Sequence, residues 1–474
     1  MKEVSMMNGN KTTFFTLFGA TGDLTYRKLI PALYNLHSLD HLDQGFKILA
    51  IGRRDYTTQD YHDLLRPWCE KFVRTGFNER VFDAFLSRIE YVQMRLDEPE
   101  DYGVLKAIYE TCPQSQHLYY LAVASSYFDV IASNLVQSGC TSYASFKQCL
   151  IEKPFGTSFE SALELNNTLL RFFKEEEIYR IDHYLGKEMI QNLLAIRFEN
   201  PILTPLWNDS MIDSIVVRAL EEVGVESRGQ YYDHFGAIKD MVQNHLFQIV
   251  SLLLMKPSNN LDERIAHQND IIEHLELYHQ SKEDVILGQY EANPSLKEKM
   301  KGYREEEHVD PQSMTETFVS LRTRINLPEY KNIKVILQTG KRTHMRSTEV
   351  IVNFKGHGPR PNQLIIKIAP DEGVYLRMNI KKPGQSHEVE TIMMEYCQSC
   401  VYENRLNTPE AYERLLKAGI GLDRALFTPW EMVASSWKVV DGWLDFIAKE
   451  AVPLYFYPAQ TYGPTQVLEH FHEE

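Results

Sequence analysis

Phe14-Phe15-Thr16-Leu17-Phe18-Gly19-Ala20-Thr21-Gly22-Asp23-Leu24 begins as an unbroken apolar run and stops at a glycine. Beyond Leu24, Leu29, Ile30, Leu33 and Leu36 recur at helical spacing, so the stretch reads as strand, tight turn and helix. Working outward, residues 47–51 read as a second strand, and residues 118–123 and 149–151 are apolar runs of strand length with helical patterns between them. Strands alternating with helices predict a parallel sheet covered on both faces.

The pattern changes past residue 180, where residues 212–220, 333–337, 349–354 and 363–368 form β-rich stretches that predict a mainly antiparallel sheet. Helical segments at 236–255 and 409–417 are expected to flank that sheet. With 474 residues, 43% of them hydrophobic, the chain has material for two cores. The expected division is an α/β dinucleotide-binding domain over 1–181 and a larger α+β domain over 182–474, with the first ten or so residues disordered.

Charge and apolar patterning narrow the class. Fifty Lys and Arg against 65 Asp and Glu give a net charge of -15, which opposes attraction to nucleic acid or an anionic membrane surface. No apolar run reaches the roughly 18 to 20 residues that span a bilayer, and MKEVSMMNGNK lacks the apolar core of a signal peptide. A cytoplasmic protein with no membrane or nucleic-acid partner is expected. Cys397 and Cys400 form a Cys-x-x-Cys pair, but no second pair or nearby His completes a metal site. All six cysteines are expected as thiols, with no metal bound.

Gly19 and Gly22 stand where a first strand turns into a helix, the position at which parallel-sheet proteins offer backbone N–H groups and a helix N-terminus to a pyrophosphate. The three-glycine fingerprint is incomplete, and two glycines can simply permit a tight turn. The second strand sharpens the reading, because it ends at Gly52-Arg53-Arg54, where an NAD enzyme carries an acid for the ribose 2′-hydroxyl. Arginine at that place favours a 2′-phosphate, hence NADP.

Three further segments concentrate polar chemistry: EKPFG at 152–156, RIDHYLGKE at 180–188 and KDMVQNH at 239–245. With the Gly19–Leu24 loop, GYREEEHVDPQSMTETF at 302–318, TGK at 339–341, AYERLL at 411–416 and Gly463-Pro464, the chain resembles the glucose-6-phosphate dehydrogenase family over nearly its whole length. That resemblance implies an oxidoreductase that oxidises glucose 6-phosphate to 6-phosphoglucono-1,5-lactone with NADP, the first step of the oxidative pentose phosphate pathway. It also implies a Rossmann-like first domain and a homodimer or tetramer built on the large sheet of the second.

Oxidising a sugar hemiacetal removes a hydroxyl proton as hydride leaves the same carbon, and histidine is a suitable base near neutral pH. A lone His in an apolar helix is ordinarily a satisfied core residue. The resemblance instead makes His245 the general base and Asp182 the carboxylate that orients it. It places Asp23, Leu24 and Lys28 with the two glycines and Arg53 at the cofactor, and Lys153 between sugar and nicotinamide before a cis Pro154. His183, Tyr184, Lys187 and Arg346 would hold the sugar phosphate, and Glu221, Asp240 and Lys341 the sugar hydroxyls. The chain departs from the family at Ser125 and Ser126, which replace paired prolines, at Gln338, which replaces arginine, and at Tyr330, which replaces tryptophan. A dual-cofactor sugar-phosphate dehydrogenase and a non-catalytic sensor on the same fold are the competing readings.

Overall fold

The computed structural model describes residues 12–296, 300–356, 358, 360–384, 387–401 and 407–470. The N-terminal residues expected to be disordered therefore lie outside the described ones. The chain divides into two compact units, one comprising Met1–Gly156, Glu160–Gly186 and Pro409–Trp430, the other Thr157–Phe159, Lys187–Thr408 and Glu431–Glu474.

In the first unit the opening strand is Thr13–Phe18, paired in parallel with Phe46–Gly52 on one side and Ser115–Leu121 on the other. Because successive side chains of a strand point to opposite faces, Phe15 and Leu17 enter one core with Leu33 and Ile48, while Phe14 and Phe18 enter another with Leu49 and Ile51. Both faces are covered, as a parallel sheet requires. The sheet continues through Ile89–Gln93 beyond Phe46–Gly52, and through Ala144–Ile151 and Ile178–Ile181 beyond Ser115–Leu121. Strand order thus reverses at Thr13–Phe18, the switch point beside which doubly wound sheets bind ligands. The expected helix follows, but it begins as a π-helix, Thr25–Leu29, before the α-helix Ile30–Ser38.

The expected division at 181/182 needs revising. Residues 182–186 stay with the first unit, and Pro409–Trp430 returns to it. The helix Ala411–Ile420, expected beside the second sheet, instead buries Leu415 and Leu416 among Leu29, Leu33 and Tyr179. Its Glu413 pairs with Arg74 at 2.7 Å and accepts from Asn35 Nδ2 at 3.2 Å. Phe427–Thr428 then pairs antiparallel with Ile178–Ile181 as an edge strand. Apolar periodicity declares that a helix has a buried face, not which sheet covers it.

The second unit carries a mainly antiparallel sheet in the order Val389–Cys397, Gly373–Lys381, Gln363–Ala369, Ser347–Phe354, Ile212–Leu220, Lys334–Gly340, Phe318–Ile325, Val285–Glu291, Leu454–Pro458. Two neighbouring pairs are parallel, Lys334–Gly340 with Ile212–Leu220 and Leu454–Pro458 with Val285–Glu291. The helical run expected at 236–255 is three pieces: an α-helix Gly229–Ala237 kinked at Gly236, a π-helix Ile238–Leu246, and an α-helix Phe247–Leu254. Among the described residues no helix is long and apolar enough to cross a membrane.

The thiol expectation fails at one pair. Cys397 and Cys400 form a disulfide, with Cα atoms 5.3 Å apart. The strand Val389–Cys397 ends at the first of them and the chain turns, which brings the pair within disulfide reach. The other four cysteines are free.

Removing one partner of a buried ion pair takes away that attraction while the other charge stays buried. Because the Arg74 and Glu413 side chains are only 14% and 3% exposed, Glu413→Ala should destabilise the first unit by about 3 kcal/mol. A shifted urea midpoint for that unit is the expected readout, and Arg74→Ala should have a similar effect.

Candidate active site

The glycine turn is tied to the neighbouring strand by backbone hydrogen bonds to a single carbonyl. The Gly19 and Ala20 N–H groups both donate to the Ile51 oxygen, at 3.2 and 2.9 Å, which ties the turn to the end of the second strand. Gly19 has φ +91°, and a Cβ there would lie 2.3 Å from the Ala122 carbonyl oxygen, so no other residue fits. Thr25 Oγ1 donates to the Gly19 oxygen at 2.9 Å. Gly22 closes the turn through its own N–H to Gly19 O at 3.0 Å. Asp23 pairs with Arg27, Leu24 leads into the π-helix, and Lys28 pairs with Glu410 at 2.8 Å.

The two arginines after the second strand differ. Arg54 donates to Tyr56 Oη at 3.1 Å, and its carbonyl accepts from Tyr91 Oη at 2.8 Å. Arg53 is exposed and, among the described residues, has no side-chain partner. An exposed guanidinium two residues past the carbonyl that holds the glycine turn suits a phosphate, so the turn and Arg53 fit a dinucleotide.

At the same carboxyl edge of the sheet, the strand Ala144–Ile151 leads into Glu152, Lys153 and a cis Lys153–Pro154 bond. The strand Ile178–Ile181 leads into Asp182, His183 and Tyr184. Asp182 is 3% exposed and accepts from the Tyr184 N–H at 2.9 Å. The His183 and Tyr184 rings meet edge to face. Glu152 accepts from Tyr120 Oη at 2.5 Å, and Tyr412 also bonds its carboxyl. Burial pushes Glu152 up to about 7; Tyr120, Tyr412 and Lys153 pull it down, and Asp182 pushes it further up.

In the second unit the π-helix Ile238–Leu246 carries both Asp240 and His245, which are 4% and 0% exposed. Five residues in an α-helix of 3.6 per turn would set them about 140° apart. The i→i+5 bonding of a π-helix brings them to one side, and such segments are frequent at functional sites. Lys341 Nζ lies 2.5 Å from Glu221 and 4.0 Å from Asp240, over the Tyr232 ring at 5.0 Å. Tyr457 Oη fixes the Lys341 carbonyl at 2.6 Å. Three expected sugar-binding residues therefore converge. Lys187 begins the helix Glu188–Phe198 and faces Glu372, whose burial-raised pKa it lowers. Arg346 is exposed and joins none of these groups.

Family models described as the NAD binding domain and the C-terminal domain of glucose-6-phosphate dehydrogenase match residues 16–192 and 194–474. The chain belongs to the glucose-6-phosphate dehydrogenase family. It is 38% identical to the glucose-6-phosphate 1-dehydrogenase of Aggregatibacter actinomycetemcomitans, over 95% of this chain and 93% of that one. It is 35% identical to that of Bacillus subtilis, over 92% and 91%. A solved glucose-6-phosphate dehydrogenase in complex with its substrate glucose 6-phosphate superposes with a TM-score of 0.89 at 30% identity, covering 97% of each chain.

The family departures are accommodated. Ser125 opens a short 3-10 turn, Ser125–Tyr127, after the strand Ser115–Leu121. Tyr330 is buried beside Arg197. Gln338 is buried with its Oε1 unpartnered among the described residues. Sequence reasoning assigned no role to Glu152, Tyr232, Arg228 or Glu316. Arg228 lies 3.9 Å from Asp240. Glu152 sits inside a segment singled out for its polar chemistry and Glu316 inside one that carries the family resemblance, but nothing in one dimension reveals their partners.

The Glu152 environment has a pH consequence. With a folded pKa near 7 against an ordinary 4.5, the folded protein holds more protons than the unfolded chain between those values, so stability falls as pH rises through that window. Glu152→Gln abolishes this contribution. Between pH about 5 and about 7.5 the wild-type Tm should therefore drop further than that of the variant, as read by calorimetry at both pH values.

Proposed function

We propose that this chain oxidises D-glucose 6-phosphate to 6-phosphoglucono-1,5-lactone with NADP, as the first step of the oxidative pentose phosphate pathway. The observation that carries this reading is the shared side of one π-helix, where His245 and Asp240 stand together and Asp240 meets the Lys341–Glu221 pair. A base and one sugar-hydroxyl partner are then supplied by a single segment, with Glu221 and Lys341 brought to it from the ends of two strands. The relative solved with glucose 6-phosphate bound supports the substrate.

In this reading His245 accepts the proton of the sugar's O1 hydroxyl while Asp182 holds the imidazole tautomer and balances its positive charge. Glu221, Asp240 and Lys341 fix the ring hydroxyls, and Lys153 aligns the reacting carbon. His183, Tyr184, Lys187 and Arg346 hold the phosphate. Gly19, Gly22, Asp23, Leu24 and Lys28 would line the pyrophosphate turn, with Arg53 on the 2′-phosphate. When bound, NADP supplies the nicotinamide ring that accepts the hydride from C1.

The reading includes a homodimer or tetramer. Strands Gly373–Lys381 and Val389–Cys397 leave Ile380, Met394 and Tyr396 exposed on one face and Val389 and Met393 on the other, apolar groups of the kind that subunits cover. A cytoplasmic location is part of the same reading.

Nicotinamide reduction followed spectrophotometrically with glucose 6-phosphate, crossed with NADP and NAD, tests chemistry, substrate and cofactor together. His245→Asn should lower turnover by about 100- to 10,000-fold while leaving substrate affinity largely intact. Asp182→Asn should also slow turnover, and the double variant should fall well short of additivity. Near-normal turnover in His245→Asn would move the base elsewhere.

Arg53→Ala should weaken NADP binding by about 1.5 to 3 kcal/mol and NAD binding far less. Arg54→Ala should do less to both, since its guanidinium is already held by Tyr56. Equal losses of NADP and NAD on Arg53→Ala, measured by titration, would remove Arg53 from the 2′-phosphate.

A further inference from the structure

The π-helix that carries Asp240 and His245 begins without a preceding turn to receive it. The helix Gly229–Ala237 breaks at Gly236, with φ 70° and ψ 177°, so the N–H groups that follow lack the carbonyls an unbroken helix would offer. Glu316 supplies acceptors from outside. Its Oε1 takes the Ile238 N–H at 3.1 Å, and its main-chain oxygen takes the Ala237 N–H at 3.0 Å. A Cβ on Gly236 would lie 2.4 and 2.5 Å from the two Glu316 carboxylate oxygens. The glycine thus serves both the positive φ and the close approach of the carboxylate.

We propose that Glu316 is a positioning residue for the dehydrogenase reaction: its ionised carboxylate anchors the start of the π-helix and so holds the register that puts Asp240 and His245 on one side. This rests on the reading of His245 as base and Asp240 as a sugar-binding group. The anchor is local, because it acts on the first residue of a nine-residue segment, Ile238–Leu246. An α-helical register over the same residues would turn the two side chains about 140° apart.

Ionisation controls the anchor. Burial pushes the Glu316 carboxyl up to about 7, against the pull of the Ile238 N–H, its own N–H, the Lys239 charge and the Ala237 N–H. Tyr232 also faces it, with its phenol pushed well up by burial and then by Asp240 and Glu316. An ionised carboxylate binds N–H donors about twice as strongly as a neutral group does, so the register is firmest above pH 7. The folded pKa lies above the ordinary 4.5, so the folded state takes up protons more readily, and the ionised form costs stability as pH rises through that window. Position and stability are therefore opposed at Glu316, whereas a merely structural carboxylate would move both together.

The test is Glu316→Gln, which keeps an acceptor oxygen for Ile238 but cannot carry the charge. At pH about 8.5 its kcat with glucose 6-phosphate should be about 10- to 100-fold below wild type. Its Tm should be equal or higher, and its KM for NADP should be unchanged within about twofold, because the cofactor turn lies elsewhere. The ratio of the two kcat values should shrink towards one as pH falls to about 6, where wild-type Glu316 is itself protonated. Hydrogen exchange of the peptide spanning residues 237–246, corrected for intrinsic rates, should be slower in wild type than in Glu316→Gln at the higher pH and equal at the lower. A pH-independent kcat ratio, or identical exchange at both pH values, overturns the proposal. If wild type fails to turn over glucose 6-phosphate, the functional reading falls, and the exchange comparison alone decides whether Glu316 anchors the helix.

Discussion

One carbonyl, that of Ile51, receives the N–H groups of both Gly19 and Ala20, and the rest of the first unit's chemistry follows from that junction. The bond joins the turn after the first strand to the end of the second, at the point where strand order reverses. Gly19 can sit there only because it has no Cβ to strike the Ala122 carbonyl. Arg53 follows two residues past Ile51 and is exposed. Its neighbour Arg54 donates from its guanidinium to Tyr56 and accepts from Tyr91 at its carbonyl, so the two adjacent arginines, alike in sequence, differ in their side-chain partners.

The second unit solves its positioning problem by changing helical register rather than by a turn. An α-helix across residues 238–246 would separate Asp240 from His245; a π-helix does not. Such a segment is rarely stable alone, and here it is bounded by the kink at Gly236 and by an α-helix, Phe247–Leu254, whose residues are all buried. Around it Lys341 holds Glu221 directly and Asp240 at longer range, and Tyr232 lies beneath the ammonium. Lys341 and Asp240 are buried, so little water screens the charge each feels from the other, whereas Glu221 is partly exposed.

Two carboxylates, Glu152 in the first unit and Glu316 in the second, are raised to about 7 by burial. Each sits beside a segment with proposed catalytic residues, and each is tied by neutral donors, phenols in one case and backbone N–H groups in the other. Strained or desolvated groups collect at active sites because their cost is borne by the rest of the fold.

The sequence by itself determined the parallel first sheet, since FFTLF followed by a glycine and a helical period leaves few alternatives. It determined the antiparallel character of the second sheet, the family, and the segments that bear His245, Asp182 and the proposed sugar-binding residues. It could not place the helix Ala411–Ile420, whose apolar face fits any covering surface until Leu415 and Leu416 meet the first core. It did not reveal the π register at Ile238–Leu246, because the same residues satisfy an α-helical pattern equally well. Nor did it reveal the partners of Lys341, Glu152 or Glu316, which lie far apart along the chain or in other strands. Periodicity and turn chemistry are local and survive in one dimension; burial, charge pairing and helix register depend on what the folded chain brings alongside, and only the tertiary structure decides them.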